Sequence, residues 1–264
     1  MLIFIVPVKS AQISTSWELA SKLFERCVKS ICNQTSSEFR VIVVCHERPH
    51  IEFNHPYIKY IEVSFPIPNW ERTSDLGSRD RDKSRKIFTG LIYARQLKPC
   101  HVMFVDADDC VSNHLAEFVN QNSQGNGWFL NRGYEYQEGN NFIYWRKKDF
   151  HRKCGTSNIV RHDLIAPPES VKLESIDWDF LYHQDIVEAM KKRGTPLDEL
   201  PFEGAIYVQE NGENICNQSQ VLKEMLHFNP KEIILFYARR AYKSFTSKRL
   251  TKSIRDEFGL YDSR

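Results

Sequence analysis

The chain has 264 residues, 41% of them hydrophobic and 27% charged, with a net charge of +2. That length buries one sizeable core, so one α/β domain with a C-terminal appendage is expected, and so small a net charge gives no reason to expect a polyanionic partner such as nucleic acid. The seven cysteines are odd in number and lack CxxC or Cys/His spacing, which speaks for buried thiols in a reducing compartment rather than a disulfide framework or a metal-binding cysteine cluster.

The opening "MLIFIVPVKS" carries an apolar run too short to span a bilayer and lacks the basic start and cleavage site of a signal peptide. It reads as a buried first strand of a cytoplasmic protein, where the sequons at Asn33 and Asn217 are chance matches. "STSWELASKLFERCVKSICNQ" follows with helical spacing of Trp17, Ala20, Phe24, Cys27, Val28 and Ile31, and Thr15 with Glu18 predicts a capping box. "FRVIVVCHE" is a continuous apolar run, as in parallel strands buried on both faces. "YIKYIEVSF" is a more alternating strand. A polar loop, "PNWERTSDLGSRDRDK", leads to a helix through Ile87, Leu91, Ala94 and Leu97, and "HVMFV" supplies another buried strand. Alternating strands and helices predict a mostly parallel sheet flanked by helices. Ser112 then caps a helix with Leu115, Phe118 and Val119 inward, and "GWFLNRGYEYQEGNNFIYWRKK" reads as strands, the later two joined at Gly139-Asn140. A loop with Pro167 and Pro168, a helix near 185–193 stopped by Gly194, and the strand "GAIYVQE" complete a mixed second half.

Asp106, Asp108 and Asp109 crowd three carboxylates into four positions at the end of a buried strand. Ligands of open α/β sheets bind at the carboxyl ends of strands. Carboxylates so placed are tolerable when a hard cation offsets them, and Mg²⁺ or Mn²⁺ held by one or two carboxylates and a substrate diphosphate fits. The plainer alternative is a helix cap with solvated neighbours.

With these pieces in hand, the sequence resembles the family 2 glycosyltransferases of GT-A fold. The matching segments are "FIVPVKS", "CVKSICNQTSSEFRVIVVCHE", "GLIYAR", "MFVDADD", "HQDIVEAMKKRG" and "IYVQENGEN", in the family's order over residues 1 to about 215. The resemblance implies a GT-A transferase domain over 1–220, with a nucleotide-binding half (1–110) and an acceptor-binding half (111–220), and a basic helical extension over 221–264. It implies that Asp106 and Asp108 hold the metal and donor, that Ala107 lies between them at the nucleotide-sugar, and that Pro7 and Val8 line the nucleotide pocket. The residue after the second strand, normally acidic, falls at His46-Glu47, making Glu47 the candidate for the base; a uracil imide would suit a carboxylate acceptor. Ile87 and Phe88 replace the family's arginine–asparagine pair, so donor recognition differs there. Lys83 and Lys86 are candidates for steadying phosphate charge, or else belong to a solvated basic helix face.

Inverting glycosyl transfer needs a carboxylate to take the acceptor hydroxyl's proton. The family's Glu-Asp pair aligns with Gln184-Asp185, so Asp185 inherits the role of base, although Asp also suits a helix start. His183 is a candidate metal or phosphate contact and Trp178, with Asp179, a candidate wall of the sugar or acceptor pocket. Gly155, Thr156 and Ser157 would let substrate approach the backbone, or simply form a turn. From Asn229-Pro230 a helical segment continues through "KEIILFYARRAYKSFTSKRLTKSIRDEF", with seven basic residues and no acidic one between Arg239 and Arg255. Such a segment either lies on an anionic membrane surface or packs on the domain or a second subunit.

The reading is therefore a metal-dependent inverting glycosyltransferase that takes a nucleotide-sugar, UDP-linked by preference, and a glycan, lipid-linked or small hydroxyl acceptor. Two alternatives remain: a non-catalytic nucleotide-sugar or carbohydrate binder, kept open by Gln184, and a nucleotidyltransferase. The latter usually has a glycine-rich basic loop after the first strand, and "VPVKSAQIST" has no glycine.

Overall fold

The computed structural model describes residues 1–67, 76–166, 183–213 and 230–261. The expected features at Pro167, Pro168, Trp178, Asp179, Asn217 and Asn229 lie outside the described residues. In chain order the first half contains β1 (Leu2–Pro7), α1 (Trp17–Cys32), β2 (Phe39–Cys45), β3 (Ile58–Glu62), α2 (Leu76–Ala94), β4 (His101–Phe104), β5 (Cys110–Val111) and α3 (Leu115–Gln121). The strands β6 (Gly127–Phe129), β7 (Gly133–Gln137), β8 (Phe142–Arg146) and β9 (Asn158–Arg161) follow, then α4 (His162–Ile165), α5 (Ile186–Lys192), β10 (Asp198–Glu199) and β11 (Ala205–Gln209). The tail forms α6 (Pro230–Thr246), β12 (Lys248–Arg249) and α7 (Lys252–Phe258).

Seven strands form the main sheet in the order β10-β6-β9-β4-β1-β2-β3. Only β9 runs against its neighbours, β4 and β6; the other described junctions are parallel. The period of two along β1 explains its uninterrupted apolar run. Leu2, Phe4 and Val6 face α1 and α3, through Phe24, Val28, Leu115 and Val119. Ile3 and Ile5 face α2 and α5, through Ile87, Leu91, Ile186 and Met190. Helices thus cover both faces, and each fully buried aliphatic or aromatic side chain contributes about 1.5–3 kcal/mol. Gly90 brings α2 close to the sheet: a Cβ there would lie 2.6 Å from Ile5 Cγ2.

A smaller sheet, β12-β8-β7-β11-β5, stands beside the first. Its core holds Cys110, Tyr136, Ile143, Ile206 and Val208 together with Leu250, Phe258 and Leu260 from the tail. The expected hairpin is present: β7 and β8 pair antiparallel, and Gly139 takes φ +75° in the connection. Because β4 belongs to the large sheet and β5 to the small one, the acidic segment 106–109 is the first of the chain's crossings between them. A second tie is Arg26 of α1, fully buried, which donates to both oxygens of Glu138 at 2.9 Å and to the Tyr261 carbonyl at 3.3 Å.

Four local expectations are corrected. The α1 cap is Ser16, whose Oγ accepts from the Leu19 N–H, because the N–H groups of Thr15 and Ser16 are taken by the Glu213 carboxylate; Glu18 pairs with Lys22 instead of closing a box. Helix α2 begins at Leu76, inside the segment expected to be loop, and ends before Leu97, which lies in a following 3-10 turn. Ser112 does not cap α3: it accepts from the His114 N–H and donates to Glu257, and His114 occupies the cap position. The tail is not one helix. Lys248 and Arg249 pair with β8, and Thr251 then caps the separate α7. Among the described residues no helix is long and apolar enough to cross a membrane.

Candidate active site

The carboxyl edges of β1, β2 and β4 converge where the acidic segment leaves the main sheet. Pro7 is in register with Val44 of β2, and the Val105 N–H donates to the Ile5 carbonyl, which carries β4's pairing one residue further. Asp106, Ala107 and Asp108 are half-buried at this edge, while Asp109 is fully buried.

The three carboxylates have separate partners. Lys83 from α2 forms an ion pair with Asp106. Burial would lower the Lys83 pKa, but Asp106 and then Asp109 outweigh it and hold the ammonium above its ordinary value. Asp108 Oδ2 accepts from Asn211 Nδ2 at 2.7 Å. Asp109 accepts from Thr156 Oγ1 at 2.6 Å, from the Cys154 thiol at 3.2 Å and from the Val208 N–H at 3.0 Å. Thr156 Oγ1 in turn accepts the Asp106 N–H at 2.9 Å. Burial and then Asp106 raise the Asp108 carboxyl above its ordinary range; burial, Asp108 and Asp106 push Asp109 up further, against the donors that favour its charged form. Lys83 and, on Asp108, Lys9 oppose these shifts, yet burial and the crowding of like charges keep both carboxyls raised.

Gly155 has a close-approach role of a different kind from the one expected. A Cβ there would press on the Asp106 carboxylate and lie 2.9 Å from Lys83 Nζ, so the glycine makes room for the ion pair. Thr156 and Ser157 are buried structural links. Lys86 is buried and committed to Asp82 at 2.7 Å; burial lowers its pKa, opposed by Asp82. Glu47 Oε1 accepts from Ser10 Oγ at 2.7 Å and the Ala11 N–H at 2.6 Å, fixing the loop after β1. Pro7 is half-buried, and Val8 is packed into the core.

His183 stands near the Lys83–Asp106 pair. Its carbonyl accepts from Asn158 Nδ2 at 3.1 Å, and its Nε2 is buried with no hydrogen-bond partner among the described residues. Burial, then Lys83, lowers its pKa, whereas Asp106 opposes the shift, so the ring stands within the field of that ion pair. Two residues on, Asp185 occupies the cap position of α5 with an exposed side chain that makes no capping hydrogen bond. Gln184 is exposed beside it. Trp178 lies outside the described residues.

Three participants carried no signal in the sequence reading. Asn211 on Asp108, Lys9 paired with Glu213, and Glu213 at the start of α1 all depend on contacts across roughly 100 to 200 positions. Asn211 and Glu213 sit in a bend after β11, where Glu210 (φ +54°) and Gly212 (φ +87°) take positive φ. Among the described residues no three His, Cys, Asp or Glu side chains converge as a ready-made metal cage.

No family model matches the chain, and no curated protein does. Among solved structures, residues 1–349 of S. aureus TarS align at 14% identity over 78% of this chain and 60% of that one, with a TM-score of 0.44. The same protein in complex with UDP-GlcNAc gives 14% identity, 79% and 58% coverage and a TM-score of 0.41. The 2-C-methyl-D-erythritol 4-phosphate cytidylyltransferase of Francisella tularensis gives 11% identity, 86% and 99% coverage and 0.42. The chain thus spans about three-fifths of the TarS fragment it resembles, and its α/β assignment rests on its own strand order and packing.

Proposed function

We propose that the chain is a glycosyltransferase that uses a nucleotide-diphosphate sugar and inverts the transferred centre. The observation that carries this reading is the crowded acidic segment at the sheet's carboxyl edge, with Asp106 and Asp108 half-exposed and Lys83 beside them. Such an edge suits a diphosphate delivered with a cation. Two hard carboxylates suit Mg²⁺ or Mn²⁺: Asp106 and Asp108 would hold the ion, with the substrate diphosphate and water completing its shell. When bound, the ion would offset negative charge on the diphosphate leaving group.

The residues themselves divide the remaining work. Lys83 adds a fixed cation for the diphosphate, and Glu47, held by Ser10 and Ala11, offers an acceptor for a base imide such as uracil's. Asp185, uncommitted to capping, takes the proton of the acceptor hydroxyl. The reading assigns the donor to residues 1–110 and the acceptor to 111–220.

Nucleotidyl transfer is the competing chemistry, and the loop after β1 argues against it. There the Ala11 N–H belongs to Glu47, and the Thr15 and Ser16 N–H groups belong to Glu213. A loop whose donors already hold carboxylates does not cradle a triphosphate.

Thermal unfolding with UDP and related nucleotides tests the donor assignment. A rise in Tm is expected with Mn²⁺ or Mg²⁺ and not with chelator, and Asp108→Ala should remove it. Equal stabilisation in chelator refutes the metal assignment. Asp185→Asn should keep the Tm rise and lower transfer, or slow donor hydrolysis, by about 10²–10⁴-fold. Unchanged turnover removes Asp185 from the chemistry.

A further inference from the structure

Among the described residues, helix α6 meets the domain along one side. Lys243 pairs with Glu135 and stands 5.3 Å from the Tyr144 ring, and Ile233 and Phe236 on the same side are half-buried. At 3.6 residues per turn the opposite side carries Ile234, Ala238, Ala241 and Phe245 in one line. Ile234 is 69% exposed and Phe245 is 95% exposed. Tyr237 and Tyr242 flank that line and are exposed as well. A helix resting on a domain normally turns its apolar side inward and its charges out; here an uncharged, apolar stripe points away.

The charges sit between the stripe and the docked side. Arg239 and Arg240 are exposed on the two sides of the helix, within reach of the stripe's plane through their long side chains, and Lys248 and Arg249 extend the basic border beyond the helix, Lys248 lying 4.4 Å from the Trp145 ring. From Ile233 to Arg255 the sequence contains no Asp or Glu. We propose that this stripe seats the protein on the surface of an anionic lipid bilayer, with α6 lying in the plane of the interface. Apolar side chains enter the acyl boundary, tyrosines with a polar tip lie at its margin, and the arginines meet lipid phosphates. A second copy is a poorer occupant, because a two-fold pairing through the same stripe would bring the like-charged margins together. The inference does not depend on the reaction assigned above.

The full chain should co-sediment with vesicles of mixed phosphatidylglycerol and phosphatidylcholine, less with phosphatidylcholine alone, and less as salt rises. Ile234→Glu with Phe245→Glu should weaken partitioning by about 100-fold, with an unchanged urea midpoint because both positions are exposed. Arg239→Gln and Arg240→Gln should each weaken it by about fivefold. The proposal is overturned by absence of binding to anionic vesicles at low salt or by equal binding of the double variant. It is also overturned by a dimer in vesicle-free solution that Ile234→Glu with Phe245→Glu dissolves.

Discussion

Two ion pairs in this molecule have similar chemistry and opposite settings. Arg26 and Glu138, with side chains 0% and 7% exposed, close a two-pronged bond between α1 and the small sheet. Lys83 and Asp106, at 37% and 27%, meet at the sheet's open edge, beside two carboxyls that burial and crowding hold above their ordinary range. A buried bidentate pair holds one geometry and is costly to break, whereas a half-open pair at low cost can exchange its partner for a ligand. Accessibility and crowded like charges separate the structural site from the candidate functional one; residue type does not.

The largest effect should come from breaking the closed pair. Arg26→Met leaves Glu138 short of its principal partner in a buried setting and should cost about 3–5 kcal/mol, read from the urea midpoint. Arg26→Met with Glu138→Leu should recover much of that loss; a double variant no better than the single one would mean that packing, not charge, holds the joint.

A smaller effect sharpens the other side of the contrast. Gly155→Ala pushes a methyl against Asp106 and Lys83, whose flexible ends give way. Stability should change by less than about 1 kcal/mol, while cation-dependent nucleotide binding weakens by about tenfold. A large stability loss with unaltered binding would make the open pair as structural as the closed one.

The smallest expected effect is a pH slope. Burial would raise the pKa of Glu135, but Lys243 and Arg146 outweigh it and hold the carboxyl below its ordinary value of 4.5. A depressed folded value means that the carboxylate contributes stability above the unfolded pKa and loses it as pH falls through the folded one. Below pH 4.5 the wild-type urea midpoint should therefore fall more steeply than that of Glu135→Gln. Parallel curves would show that the tail's lysine adds nothing to this buried charge.

The main sheet was legible because "MLIFIVPVKS", "FRVIVVCHE" and "HVMFV" are apolar on consecutive positions, and only a strand covered on both faces demands that. The acidic trio was legible for a similar reason, as charge set against a buried strand. Which carboxylate points where was not: Asp109 turns inward because Thr156, Cys154 and the Val208 N–H, 45 to 99 positions away, supply its bonds. The α1 cap was misplaced by one residue because its strongest anion, Glu213, arrives from 197 positions downstream. Local spacing reports periodicity and burial, and a contact across the fold leaves no such trace.

The three-way grip of Asp109 sets rules for redesign. The connection after β4, the turn before β9 and the strand β11 share one side chain, so a change of length in any of them reaches the other two. Loop grafts at this edge of the sheet should therefore be placed away from residues 154–156 and 208, where the edit stays local.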